Sequence, residues 1–307
     1  MEKKKLLVID SNALLHRAFH ALPPLTTKNG EQTGAVYGFL LVLFKAIKDL
    51  NPGYIVACFD VGAPTFRHEQ FAGYKAKRVK TPDELISQIP KIKEVLTAFE
   101  VPVFGKAGFE ADDLIATIVQ KVSKNKDIET YILTGDLDML QLVNNKVKVY
   151  TLGRGVKETI TYDEAAVASR FGITPEQVID FKSLAGDPSD NIPGAPGIGK
   201  KTAAELLQKF KTLDNIYKQM DKGSADIKDR VKEILLNNKE QVLFSKSLVD
   251  AKKDVDIDFK LGDSKFGSYN KKKAEGVLLK FQFNTLVKKI SEINSDTPKL
   301  IQKSLIL

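Results

Sequence analysis

The 307-residue sequence is poor in the residues that build disulfides and nitrogen-ligated metal sites: it has one cysteine, Cys58, and three histidines, His16, His20 and His68. A lone thiol cannot form an internal disulfide and suits a reducing cytosol. The histidines lack metal-ligand spacing, and neither a P-loop nor a nucleophile elbow is present. Long apolar runs are missing too. The stretch after the first five residues reaches only from Leu6 to Ile9, too short for a signal peptide or a membrane span. No internal repeat or low-complexity segment occurs.

What is present is ordinary in bulk and unusual in placement. Hydrophobic residues make up 43% and charged residues 28%, as in globular proteins, and the length allows one large domain or two modest ones. The net charge of +8 suits a polyanionic partner. In the first half, short apolar strands are expected at Leu6 to Ile9, Tyr54 to Phe59, Val101 to Phe104 and Thr130 to Leu133. Between them lie helical patterns: Val36 to Ile47, Leu85 to Phe99, and Leu114 to Val122. This alternation predicts an α/β fold with a mainly parallel central sheet and flanking helices. From about Ala165 helices follow one another, one starting at Thr174-Pro175, with a short extended piece near Val255 to Phe259.

Acids stand at every expected strand end. Asp10 closes the first strand and Asp60 the second. Glu110, Asp112 and Asp113 follow the third, and Asp136 and Asp138 the fourth. Sites in open parallel sheets lie at the carboxyl ends of strands, so these acids should converge. Asp187 and Asp190, in AGDPSDN, join from the helical half. Helix capping accounts for any one of these residues, but not for four strand ends together. Nine carboxylates in one cleft repel each other by several kcal/mol per pair at intermediate dielectric. Divalent cations with oxygen ligands, such as Mg²⁺ or Mn²⁺, relieve that repulsion, and two of them can hydrolyse a phosphodiester.

Two further segments suit nucleic acid. Thr65 to Lys80 carries five Lys/Arg with Phe66, Phe71 and Tyr74 interleaved, a mixture fit for phosphates and unpaired bases. Arg67, Tyr74, Lys75, Lys77 and Arg78 are candidate contacts, and Lys75 and Arg78 are placed to offset charge on a scissile phosphate. Arg17, two helical turns after Asp10, is expected to face the same way. The glycine hairpin within 189–210 opens a helix at Gly-Ile-Gly-Lys-Lys-Thr. There Gly197, Gly199, Lys200, Lys201 and Thr202 offer backbone and side-chain donors to a duplex backbone. It is not a Walker motif, because its last glycine is followed by Lys-Lys-Thr and no strand precedes it.

With VIDSN, AVYGF, FRHE, YKAKR, EADD, TGDLDMLQL, GDPSDNIPG and PGIGKKTA in order, the chain resembles the flap-nuclease family from about Lys5 to Ile290. Within it the chain is most similar to the 5′→3′ exonuclease domain of bacterial DNA polymerase I. The resemblance implies a PIN-like nuclease core with arch (1–164, arch about 64–92). It also implies a duplex-binding helix–three-turn–helix subdomain (165–290) and a tail (291–307). A two-metal site is implied, with Asp10, Asp60, Glu110, Asp112 and Asp113 in a first cluster and Asp136, Asp138, Asp187 and Asp190 in a second. Lys75, Arg78 and Arg17 become catalytic cations, and the hairpin a K⁺ site. His16 departs from the family, whose members usually have tyrosine there. The expected protein is a monomeric, cytoplasmic, nucleoid-associated nuclease cutting 5′ ends and flaps of nicked or branched DNA in primer removal and repair. The chain reaches Leu307 without polymerase sequence, so the enzyme either stands alone or is the front of a fusion. Two other readings remain: a branched-DNA-binding protein without catalysis, and a PIN-type ribonuclease.

Overall fold

The computed structural model describes residues 3–153, 158–223 and 226–293, with side chains to 290, so nearly all of the tail lies outside the described residues. Strand β1 (Lys4–Asp10) is central, pairing in parallel with β2 (Tyr54–Cys58) and β4 (Ile128–Leu133). Strands β3 (Val103–Phe104), β5 (Val147–Leu152) and β6 (Thr159–Tyr162) complete the order β3-β2-β1-β4-β5-β6. All pairings are parallel except that of β6 with β5. Strands β5 and β6 were not anticipated. The signal was there in VKVYTL, which is rich in β-branched and aromatic residues.

The apolar run of β1 serves both faces of the sheet. Leu6 and Val8 join a core with α6 (Ala111–Val122) and the helices of the second half, from α7 (Glu164–Phe171) onward. Leu7 and Ile9 join an opposite core with α1 (Ser11–Ala21), α2 (Gly34–Leu50) and α5 (Ile89–Ala98). All four are fully buried, each stabilising the fold by roughly 1.5–3 kcal/mol. Helices α1 and α2 touch where Gly38 sits: a Cβ there would lie 2.8 Å from Ala18 Cβ.

The stretch Leu85 to Phe99 is two helices rather than one, α4 (Asp83–Ile86) and α5. Pro90 cannot donate the bond that would join them. Gln88, at the break, is buried and accepts the Ala35 and Val36 N–H groups at 2.8 and 3.2 Å, capping α2. The region expected as an arch holds α4 and the short α3 (Phe66–Gln70), with turns between them.

In the second half, Thr174 caps a 3₁₀ turn leading into α8 (Val178–Ala185). Then come α9 (Lys200–Phe210), α10 (Leu213–Asp221), α11 (Asp229–Asn237) and α12 (Lys239–Val249). The piece Val255 to Phe259 is extended but joins no strand; Val255, Ile257 and Phe259 are buried and the residues between them exposed. The chain then returns to the nuclease half. Helices α13 (Lys271–Lys280) and α14 (Asn284–Ile293) pack on α5 and α2.

Candidate metal centre and its basic wall

The strand ends open on a cleft of about 440 Å³, lined by Asp10, Asp60, Glu110, Asp112 and Asp136 with Asn12, His16, Lys75, Arg78 and Val79. Asp10 caps α1: its Oδ1 accepts the Ala13 N–H at 3.1 Å. Its Oδ2 accepts the Thr134 hydroxyl at 2.6 Å, and the same hydroxyl oxygen accepts the Asp136 N–H at 2.8 Å. One buried threonine therefore ties the ends of β1 and β4. Asp60 accepts the Ala111 N–H at 2.7 Å, which fastens the end of β2 to the start of α6.

The crowding shows in the ionisation of these groups. Burial, with Asp136 and Asp60 nearby, pushes the Asp10 carboxyl up to about 7, against the hydrogen bonds from Thr134 and Ala13. Asp112 is pushed well above the usual carboxylate range by burial, then by Asp10 and Asp136. No described residue hydrogen-bonds its carboxylate.

Cations already sit among the acids. Lys75 Nζ lies 2.6 Å from Glu110 and 3.8 Å from Asp190, and Arg78 pairs with Asp190. Lys75 reaches in because its backbone is left-handed, φ 54°, with its N–H donated to Asp190 O at 3.0 Å. Lys182, from α8, bridges Asp138 and Asp187, the latter at 2.6 Å. Sequence reading missed Lys182, a single helical lysine with no pattern around it. Among the described residues no three acids stand ready as one coordination shell. The donor set still fits a hard divalent cation: it is all carboxylate oxygen, held at fixed strand ends and compensated by side chains long enough to swing aside.

Four expected site residues are placed elsewhere. Asp113 is fully buried and points away from the cleft, one helical step from Asp112. Its two oxygens take Arg67 Nη1 and Nη2, each at 2.8 Å, so it is no ligand in this geometry. Arg67, expected on DNA, is 2% exposed and spent on that pair. Tyr74 is also buried, its hydroxyl 2.9 Å from Glu110 and 3.3 Å from Asp190, so its ring is not free to stack on a base. Arg17 turns from the cleft to the end of β5, donating to Leu152 O at 2.8 Å and to Gly153 O. Charge-assisted bonds to these two carbonyls at the end of β5 hold the guanidinium there. Lys77 is exposed beside the cleft mouth.

At the hairpin, Asp187 and Ile192 exchange backbone bonds of 2.9 and 2.8 Å. Gly194 has φ 61°, and a Cβ there would lie 2.2 Å from Gly186 N, so no other residue fits. Buried Ala195 and Ile198 pin the loop, leaving Gly197, Gly199, Lys200 and Lys201 exposed at the start of α9. Thr202 is half-buried in its first turn.

Two family models cover most of the chain: the N-terminal resolvase-like domain of 5′-3′ exonucleases over 5–172, and their C-terminal SAM fold over 173–272. The chain belongs to the 5′-3′ exonuclease family. DNA polymerase I of Bacillus subtilis is 37% identical over 295 residues, 96% of this chain and 33% of that protein. DNA polymerase I of Treponema pallidum is 43% identical over 265 residues, 86% of this chain and 26% of that protein. The chain thus spans about a third of the length of the polymerases it matches. Two solved structures share the fold. The bacteriophage T5 flap endonuclease, in a complex with DNA and metal ions, has TM-score 0.66 at 20% identity over 94% of this chain and 98% of that one. The catalytic core of Rad2 with DNA substrate has TM-score 0.61 at 20% identity over 95% and 91%. Within the exonuclease fold, the boundary between the two models falls just after α7, where the cleft-bearing sheet gives way to the hairpin-bearing helices. No described helix is long and apolar enough to cross a membrane.

Proposed function

We propose that this chain is a structure-specific 5′ nuclease that hydrolyses DNA phosphodiesters at 5′ ends and flap junctions with two divalent cations, Mg²⁺ or Mn²⁺. One observation carries the reading: acids from three parallel strand ends and the start of α6 meet in one cleft whose rim is Lys75 and Arg78. Asp10, Asp60, Glu110, Asp112 and Asp136 would hold one side of the centre, and Asp138, Asp187 and Asp190 the other. The cations, when bound, supply an ionised water and neutralise the leaving 3′-oxygen. Lys75 and Arg78 orient the scissile phosphate once they leave Glu110 and Asp190. Exposed Lys77 draws the single strand toward the mouth. The α9 start, with Gly197, Gly199, Lys200, Lys201 and Thr202, grips the duplex phosphates without reading sequence. Backbone oxygens of the hairpin are the proposed K⁺ site. The biological setting would be primer removal and repair in a bacterial cytoplasm, as a monomer working beside or fused to a polymerase.

The test is cleavage of a 5′-labelled flap duplex with Mg²⁺ and with EDTA, beside Asp112→Asn. Metal-dependent cutting near the junction, lost in the variant, supports the reading. Tight flap binding without cutting replaces it with a branched-DNA-binding module, and preference for single-stranded RNA with a ribonuclease.

A further inference from the structure

The last turn of α12 and the residues that follow it, 248–252, form a strap with no strand partner. Side chains from the nuclease half satisfy its backbone. Arg67 Nε donates to Leu248 O at 2.8 Å and Arg67 Nη2 to Asp250 O at 3.2 Å. Gln141 donates to Val249 O at 3.2 Å and accepts the Ala251 N–H at 3.0 Å. Asp113 Oδ1 accepts the Lys252 N–H at 2.8 Å. The clamp continues along α6 at every fourth residue. Thr117 Oγ1 donates to Lys252 O and accepts the Val255 N–H, and Lys121 donates to Ile257 O.

Three of the clamping groups, Arg67, Asp113 and Gln141, are also bonded to residues of the acid clusters. Gln141 Nε2 donates to Asp138 O at 3.0 Å. Asp113 Oδ2 accepts the Glu110 N–H at 3.0 Å, and Arg67 Nη1 lies 3.3 Å from Glu110 Oε2. The strap thus touches the Glu110 side through Arg67–Asp113 and the Asp138 side through Gln141. A backbone that only needed satisfying would accept partners from anywhere. Here, among the described residues, every side-chain partner of the Leu248 to Ala251 backbone, and that of the Lys252 N–H, belongs to Arg67, Asp113 or Gln141, the residues bonded to Glu110 or Asp138.

We propose that the strap is a spacer fixing the separation of the two carboxylate clusters, with Gln141 and the Arg67–Asp113 pair as positioning residues. It thereby sets affinity for the second divalent cation and the phosphate at which the flap is cut. The strap continues α12 of the hairpin-bearing half, so it also fixes where a gripped duplex lies relative to the cleft. This inference rests on the nuclease reading.

The test uses the full chain, with Mn²⁺ binding followed by paramagnetic resonance without DNA, flap-cut position mapped at nucleotide resolution, and thermal unfolding as a fold control. Gln141→Leu, below its unfolding temperature, is expected to keep one Mn²⁺ and bind the second about tenfold or more weakly. It is also expected to spread its cuts over neighbouring phosphates. Gln141→Glu keeps the shape and the Ala251 bond but loses both donated bonds, and is read the same way should Gln141→Leu fail to fold. Variants that only melt earlier, with wild-type Mn²⁺ binding and an unmoved cut, overturn the spacer and leave the nuclease reading standing. A wild-type chain that neither binds Mn²⁺ nor cuts overturns both.

Discussion

Arg67 and Asp113 form a two-pronged ion pair in the core, 2.8 Å at each prong, while Asp112 beside it faces the cleft with no hydrogen-bond donor among the described residues. The two aspartates should therefore fail in different ways. Removing one member of a buried, hydrogen-bonded pair leaves the other charge uncompensated, at a cost of about 3–5 kcal/mol. Asp113→Ala is expected to lower the melting temperature by roughly 10 °C. Asp112→Asn is expected to melt no earlier than wild type, because it relieves repulsion from Asp10 and Asp136. Its cleavage should fall about a hundredfold or more. Calorimetry beside flap cleavage separates the two. An Asp113→Ala protein as stable as wild type but unable to bind metal would make Asp113 a direct ligand.

Lys182 joins Asp138 and Asp187 by occupying the oxygens that a divalent cation would need. On the proposed two-cation reading, ammonium and metal compete for them. In EDTA, Lys182→Met leaves two crowded carboxylates without their cation and should lose roughly 1–3 kcal/mol. Saturating Mg²⁺ should restore most of that loss, so the rise in melting temperature on adding Mg²⁺ is expected to be larger than for wild type. An equal rise in both proteins would show that lysine and metal do not share the oxygens.

How much of this was legible in the sequence follows from the distance between partners. Asp10, Asp60 and Asp136 could be placed from the sequence, because an all-apolar strand buried on both faces points its next polar residue out of the sheet. The division between Asp112 and Asp113 was not legible. Neighbours on a helix differ by about 100° in direction, and which one meets the core depends on Arg67, 46 positions away. Arg17 had the right helical spacing, but its long side chain is drawn to strand-end carbonyls 135 positions away. Tyr74 reads as an exposed stacking ring until the turn at Lys75 carries it inward. Gln141 and Thr134 act through one hydrogen-bonding group each, which no pattern of residue types reveals.

At the end of the sheet opposite the candidate metal centre, Glu129, near the start of β4, accepts Lys148 Nζ at 2.8 Å and the Tyr131 hydroxyl at 3.0 Å. Burial alone would raise its carboxyl, but these two bonds together with the Lys148 and Lys5 charges outweigh burial and hold it below the ordinary carboxylate range. A folded-state pKa below the unfolded one adds stability that is complete above the unfolded value and disappears as pH falls through the folded value. Wild type should therefore melt slightly above Glu129→Gln at neutral pH, by an amount reflecting roughly 0.2–1 kcal/mol for a partly exposed pair. The gap should close below about pH 4. A gap that persists in acid would show that the glutamate stabilises the sheet by packing rather than charge.

Lys200 and Lys201 open α9 from the exposed end of the hairpin, and Lys201 keeps 91% of its side chain in solvent. Among the described residues their one ion pair is a solvent-exposed contact of Lys201 with Glu205 at 4.0 Å, which contributes little, so Lys200→Ala with Lys201→Ala should leave the melting temperature nearly unchanged. If both meet duplex phosphates, each releases about one counterion on binding, and the slope of log affinity against log salt should drop by about 0.9 per lysine removed. The loss should be equal for duplexes of unrelated sequence, because phosphate contacts carry no base information. At saturating enzyme the rate of the cutting step should be unaffected, since neither lysine lines the cleft. A weaker flap complex with an unchanged salt slope would move the duplex contact off the α9 start and onto another basic surface of the helical half.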